Sequence, residues 1–248
     1  MIYDCFSFFN ELDILEIRLN ILGEHVDYFV LGESEQTFSG KRKPLYYLDN
    51  KNKFKKWESK IIHVIHPEIQ NKNSFEIAAF QKDNLKSGLA NANDDDIIYF
   101  GDVDEIWKPK NIDDKSYNLK QLNYCYYLNN RSSEEWVGTV VSKYKNVKQI
   151  SFNKLRAIHA NELFDGGWHF TNIGGAEQIL KKIEAYDHQE FNNARIKNSI
   201  SDRIKNNEDY VGRRTDWLGK PFSFRIDESE LPHYLKQNKN TYKHLFKK

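Results

Sequence analysis

The chain has 248 residues, with 37 Lys and Arg against 36 Asp and Glu and a net charge of +1. That length buries a full core and fits one large α/β domain, while the balanced charge provides no global field to recruit nucleic acid. Cys5 and Cys125 both lie in apolar or aromatic runs, which suits buried free thiols in a reducing compartment better than a disulfide.

Residues 2 to 9 read as a strand, after which Asn10 is placed to cap a helix carrying Leu12, Leu15, Leu19 and Leu22 at helical spacing. Residues 26 to 31 form a second apolar strand closing on Gly32, Glu33 and Ser34, and residues 61 to 65 a third. A helix over residues 74 to 89 is expected to bury Phe75, Ala78, Ala79, Leu85 and Leu89. The next apolar run ends in Asp102-Val103-Asp104-Glu105. Strands alternating with helices predict a mainly parallel sheet, wound right-handed and flanked by helices.

Beyond residue 115 the texture changes. Residues 122 to 128 and 136 to 142 are aromatic and β-branched, joined by a polar turn at 129 to 133, and predict a hairpin or small antiparallel extension. A strand over 167 to 173, a helix over 176 to 186 and a polar helix over 192 to 206 follow. Residues 236 to 248 carry five lysines and no acid, interleaved with Tyr242, Leu245 and Phe246. A solvated, partly frayed tail is the expectation, with a peripheral membrane contact as the alternative. No run is long and apolar enough to span a membrane and no secretory leader is visible, so a soluble, cytoplasmic protein is expected.

Asp102 and Asp104 carry the clearest chemical signal. Two carboxylates one residue apart, where a strand of an α/β sheet ends, suit a divalent cation, Mn²⁺ or Mg²⁺, and through it a diphosphate. A turn with solvated carboxylates is the structural alternative. Trp168 and His169, behind the paired glycines 166 and 167, offer either a flat face for a saccharide or a core anchor. Glu177 opens a helix, as a dipole partner or as a general base for an incoming hydroxyl. His188, among Asp187 and Glu190, is either a third metal ligand or a helix cap. Glu33 and the run Gln81, Lys82 and Asp83 are placed where a nucleotide's base and ribose lie at the C-terminal edge of such a sheet.

An ordered set of motifs then resembles glycosyltransferase family 17. Ile2-Tyr3-Asp4-Cys5-Phe6, Asn10-Glu11-Leu12-Asp13 with Leu15-Glu16-Ile17-Arg18, Val26-Asp27-Tyr28-Phe29-Val30 before Glu33-Ser34, Thr37-Phe38-Ser39-Gly40-Lys41, Asp102-Val103-Asp104-Glu105-Ile106 and Gly167-Trp168-His169-Phe170 occur in the family's order. They cover residues 2 to about 190 and, more loosely, residues 231 to 235. The family includes the β-1,4-mannosyl-glycoprotein β-1,4-N-acetylglucosaminyltransferases.

The resemblance implies a GT-A-like single domain and a UDP-sugar donor, UDP-GlcNAc in the animal enzymes. It also implies a metal on Asp102 and Asp104, a glycan acceptor and inversion at the anomeric carbon. Inversion requires one carboxylate as base, for which Glu177 is the choice and Asp165 the reserve. Residues 1–115 become the nucleotide-sugar half, 116–235 the acceptor half and 236–248 a basic tail. Two other classes stay open on the residues: a phosphotransferase or phosphatase with Asp102 as nucleophile, and a non-catalytic glycan-binding module.

Overall fold

A computed structural model describes residues 1–159, 161–216, 219–221 and 223–248. Among these residues ten strands form a single mixed sheet: β1 (Ile2–Ser7), β2 (Tyr28–Ser34), β3 (Ile61–His66), β4 (Ile97–Asp102), β5 (Glu105–Trp107), β6 (Tyr117–Cys125), β7 (Asn130–Lys143), β8 (Glu162–Leu163), β9 (Gly167–Thr171) and β10 (Phe224–Ile226). The order is β3-β2-β1-β4-β7-β6-β9-β5, with β8 on β6 and β10 on β7. Strands β3, β2, β1 and β4 are parallel, as the alternation of strands and helices predicts. From β7 onward antiparallel pairings enter, with β7 joined to β4, β6 and β10.

The helices are α1 (Leu12–Leu22), α2 (Tyr46–Asn50), α3 (Ser74–Asn84), α4 (Tyr144–Val147), α5 (Phe152–Ala157), α6 (Gly175–Ala185), α7 (Ala194–Lys205) and α8 (His233–Gln237). Helix α1 buries Leu15, Leu19 and Leu22 against Phe6, Phe29 and Leu31, at about 1.5–3 kcal/mol for each large apolar side chain fully buried. Both cysteines are free and buried, as expected.

Several local expectations change. Asn10 does not cap α1: Glu11 is the N-cap residue, its carboxylate accepts the N–H groups of Phe9 and Asn10, and Asn10 Oδ1 instead accepts from Gln178. Helix α3 gives way at Leu85 to a 3-10 turn over Leu85–Leu89, and buries Ile77 where Phe75 was expected, leaving Phe75 exposed. The polar run 129 to 133 is no turn, because most of it pairs as the start of β7, while the chain reverses at residues 126 to 129. The C-terminal segment is not frayed. Tyr242, Leu245 and Phe246 are core residues beside α1, and Asn129 bonds the backbone of Lys247 through both amide atoms. Those three side chains are thus withdrawn from any membrane contact, although Lys236, Lys243 and Lys248 stay exposed. No described helix is long and apolar enough to cross a membrane.

Candidate active site

Strands β1 and β4 run side by side, with Ser7 opposite Asp102, so the Asp-x-Asp turn leaves the C-terminal end of the parallel half of the sheet. The turn is held from below. Arg18, fully buried on α1, donates through Nη1 to the carbonyls of Asp102, Val103 and Glu105 at 3.1, 3.1 and 2.7 Å. Its other nitrogens grip Asp4 on β1, and Trp107 Nε1 donates to the same carboxylate. Three carbonyls on one guanidinium fix the turn's backbone, and so fix where both aspartates point.

Glu105, fully buried, accepts from Trp136 Nε1, Thr139 Oγ1 and Arg156. Gly101 and Gly138 make room for it, since a Cβ at either position would overlap its carboxylate. Burial pushes the Glu105 carboxyl up against the pull of Arg156. Arg156 on α5 spans two acids, donating to Glu105 and, at 2.7 Å, to Asp102 Oδ2. Lys82 on α3 stands 3.9 Å from Asp102 Oδ1. Burial works to raise the pKa of Asp102, but Arg156 and Lys82 outweigh it and hold this carboxyl well below the usual range.

Asp104 meets Lys182 Nζ of α6 at 3.4 Å and His169 Nε2 of β9 at 3.7 Å. His169 lies over Trp136, ring centroids 4.4 Å apart, and burial lowers its pKa to about 4 despite Asp104, so the ring is neutral near pH 7. Burial works against the charge on Lys182, but Asp104 and Glu11 raise its pKa and keep it protonated. Above these groups opens a cavity of about 550 Å³, within the size range of small-molecule sites. Its walls include Phe8, Phe38, Tyr186 and Tyr210.

Asp102, Asp104, Gln81, Lys82, His169 and His188 all line this cavity. The remaining predicted residues do not. Glu177 is 83% exposed and pairs with Lys181 on the outer face of α6, because the buried side of that helix, with Ile179 and Ile183, packs against Ile200 and Ile204 of α7. Asp165 is 67% exposed and pairs with Lys108. Trp168 is a core residue whose Nε1 donates to the Glu230 carbonyl at 2.6 Å, and Trp136 supplies the aromatic face in the cavity instead. Glu33 is buried beneath α2, accepting from the Tyr47 N–H with His63 at 3.2 Å. Asp83 accepts from the Asn153 N–H at the start of α5.

His188 bonds Glu190 at 2.7 Å, and no three metal-ligating side chains are gathered among the described residues. His188 is therefore not assembled with the two aspartates as a third ligand.

The sequence assigns no site role to Arg18, Trp136, Arg156 or Lys182, although Arg18 stands within one of the family motifs. Arg18 left a trace there: it sits at helical spacing between Leu15 and Leu22, a charge on an otherwise apolar stripe. Arg156 and Lys182 left none, since a cation on a polar segment ordinarily reads as surface.

Comparison with known families decides the class. The family model for glycosyltransferase family 17 matches residues 1–247. The chain belongs to glycosyltransferase family 17. A search of the curated proteins finds no match. For this family 17 member, a glycosyltransferase, the family implies a sugar donor and a glycan acceptor, and the aspartyl-phosphate reading of Asp102 falls away.

Proposed function

We propose that this family 17 protein is an inverting, metal-assisted transferase of the GT-A type that moves GlcNAc from UDP-GlcNAc to a glycan hydroxyl. The observation that carries this reading is the floor of the cavity, where Asp102 and Asp104 stand among Lys82, Arg156 and Lys182. Carboxylates for a divalent ion and cations for phosphate oxygens are both required to hold a sugar diphosphate.

The donor set suits Mn²⁺ or Mg²⁺. Oδ1 of Asp102 and Oδ1 of Asp104 are approached no closer than 3.9 and 3.7 Å by Lys82 and His169, while Asp104 Oδ2 accepts from Lys182 at 3.4 Å, so each carboxylate keeps a hard oxygen donor to offer a metal. Two carboxylates are the protein's contribution, and such ions ordinarily complete their shell with water and phosphate oxygens. When bound, the metal neutralises the diphosphate and makes it a better leaving group.

The chain's own groups do the rest. Arg156 and Lys182 stay charged and bear on the departing phosphates, and Gln81 and Phe38 border the side of the cavity next to β2, where the uridine is assigned. Trp136 and neutral His169 form a stacked wall for the sugar ring. Glu177 and Asp165 lie outside the cavity, so neither is proposed as the base. Action in the cytoplasm is part of the proposal.

A panel of UDP-sugars with Mn²⁺, read as UDP released, tests this reading. UDP-GlcNAc is expected to turn over fastest; turnover of no UDP-sugar contradicts the proposal.

A further inference from the structure

Beside the main cavity lies a second one of about 260 Å³, between β6, β7 and β10. Its described lining is almost wholly polar, with Ser133, Ser223, Arg131 and Arg225 among it and Leu122 as the one apolar residue. Two arginines and two glutamates, Glu134 and Glu135, leave that lining without net charge. Such a lining suits a ring that presents several hydroxyls and no charge.

Asn123, Ser132 and Glu134 border both cavities, and Glu134 is the one ionisable side chain they share among the described residues. We infer that the smaller cavity is the acceptor subsite, taking a neutral sugar ring, and that Glu134 is the general base between acceptor and donor. This rests on the transferase reading above.

Glu134 has the required setting. It is 7% exposed, on the inward face of β7, with its own N–H bonded to Ser132 Oγ. Its Oε2 meets Arg213 Nη2 at 3.5 Å, and its Oε1 is buried with no hydrogen-bond partner among the described residues. Burial raises its pKa above the ordinary value against the pull of Arg213, toward the range of a useful base. The other acids of the main cavity are differently engaged. Glu11 and Asp209 accept backbone N–H groups, Glu190 holds His188, and Asp187 borders the main cavity alone.

In the step itself, the acceptor oxygen attacks the anomeric carbon while its proton passes to the Glu134 carboxylate. The bond from that carbon to the diphosphate oxygen breaks and its electron pair leaves with UDP, after which Glu134 returns the proton to solvent.

The test measures UDP released from UDP-GlcNAc with Mn²⁺, alone and with a panel of methyl hexopyranosides as soluble acceptors. Glu134→Gln is expected to lower hexoside-stimulated release by about 100-fold or more and to remove the acidic limb of the kcat profile, with UDP affinity changed by no more than about two-fold. Ser223→Trp, which fills the smaller cavity from its rim, is expected to abolish stimulation by hexoside while UDP release to water persists. A Glu134→Gln protein with the wild-type rate, or one that loses UDP affinity in proportion to rate, overturns the base. Stimulation that survives Ser223→Trp, or a wild type that no hexoside stimulates, overturns the acceptor subsite. A wild type that releases no UDP overturns the transferase reading instead.

Discussion

Arg18 holds Asp4 with two nitrogens, at 2.8 and 2.6 Å, and both side chains are completely buried. The pair joins α1 to β1, and its remaining nitrogen carries the backbone of the Asp-x-Asp turn. Removing one partner strands the other charge in the core, so Arg18→Met should destabilise the fold by about 3–5 kcal/mol. Urea unfolding followed by tryptophan fluorescence measures this. Asp4→Leu combined with Arg18→Met should recover part of the loss, because no lone buried charge then remains.

Glu105 sits where Gly101 and Gly138 lack side chains. Gly138→Ala should push a methyl group against that carboxylate and against Trp136 Nε1, at a cost of about 1–3 kcal/mol. A wild-type melting temperature in Gly138→Ala would contradict the close packing.

His66, at the end of β3, is buried with Nε2 unpartnered among the described residues and Nδ1 2.9 Å from the Asn84 amide. Burial lowers its pKa to about 4, from about 6.5 in an unfolded chain. The unfolded chain therefore takes up this proton first, and stability falls as pH drops from about 6.5 to about 4. His66→Gln should flatten that slope by up to about 1.4 kcal/mol per pH unit. Urea midpoints at a series of pH values check it, and an unchanged slope contradicts it.

Carboxylates on and off the cavity should separate cleanly in UDP release. Asp104→Ala is expected to lose about 100-fold or more, since on the proposed function it removes a carboxylate that would hold the metal against the diphosphate. Glu177→Ala, on the outer face of α6, should stay within about two-fold of wild type.

The legible part of the fold was the part that local periodicity controls. Residues 2 to 7, 28 to 34 and 97 to 102 are apolar runs between helical patterns, and their parallel pairing follows from that alternation. The hairpin turn was misplaced because Asn130 to Ser133 are polar yet pair in a strand, where Asn130 and Ser132 face inward with hydrogen-bond partners. Asp102 and Asp104, which line the cavity, are legible because two acids one residue apart close an apolar strand. Glu177 falls off the cavity because a helix start shows which turn a residue occupies but not which face is buried. Arg156 and Lys182 come from segments far along the chain from the aspartates, and only the tertiary fold brings them together.

Calorimetric titration of UDP into the protein, with Mn²⁺ and again with a chelator, puts the cavity floor to the most direct test. UDP is expected to bind in the presence of Mn²⁺, to weaken by about ten-fold or more on chelation, and to lose that metal response in Asp104→Ala. UDP binding with the same metal response in Asp104→Ala as in the wild type would contradict the account.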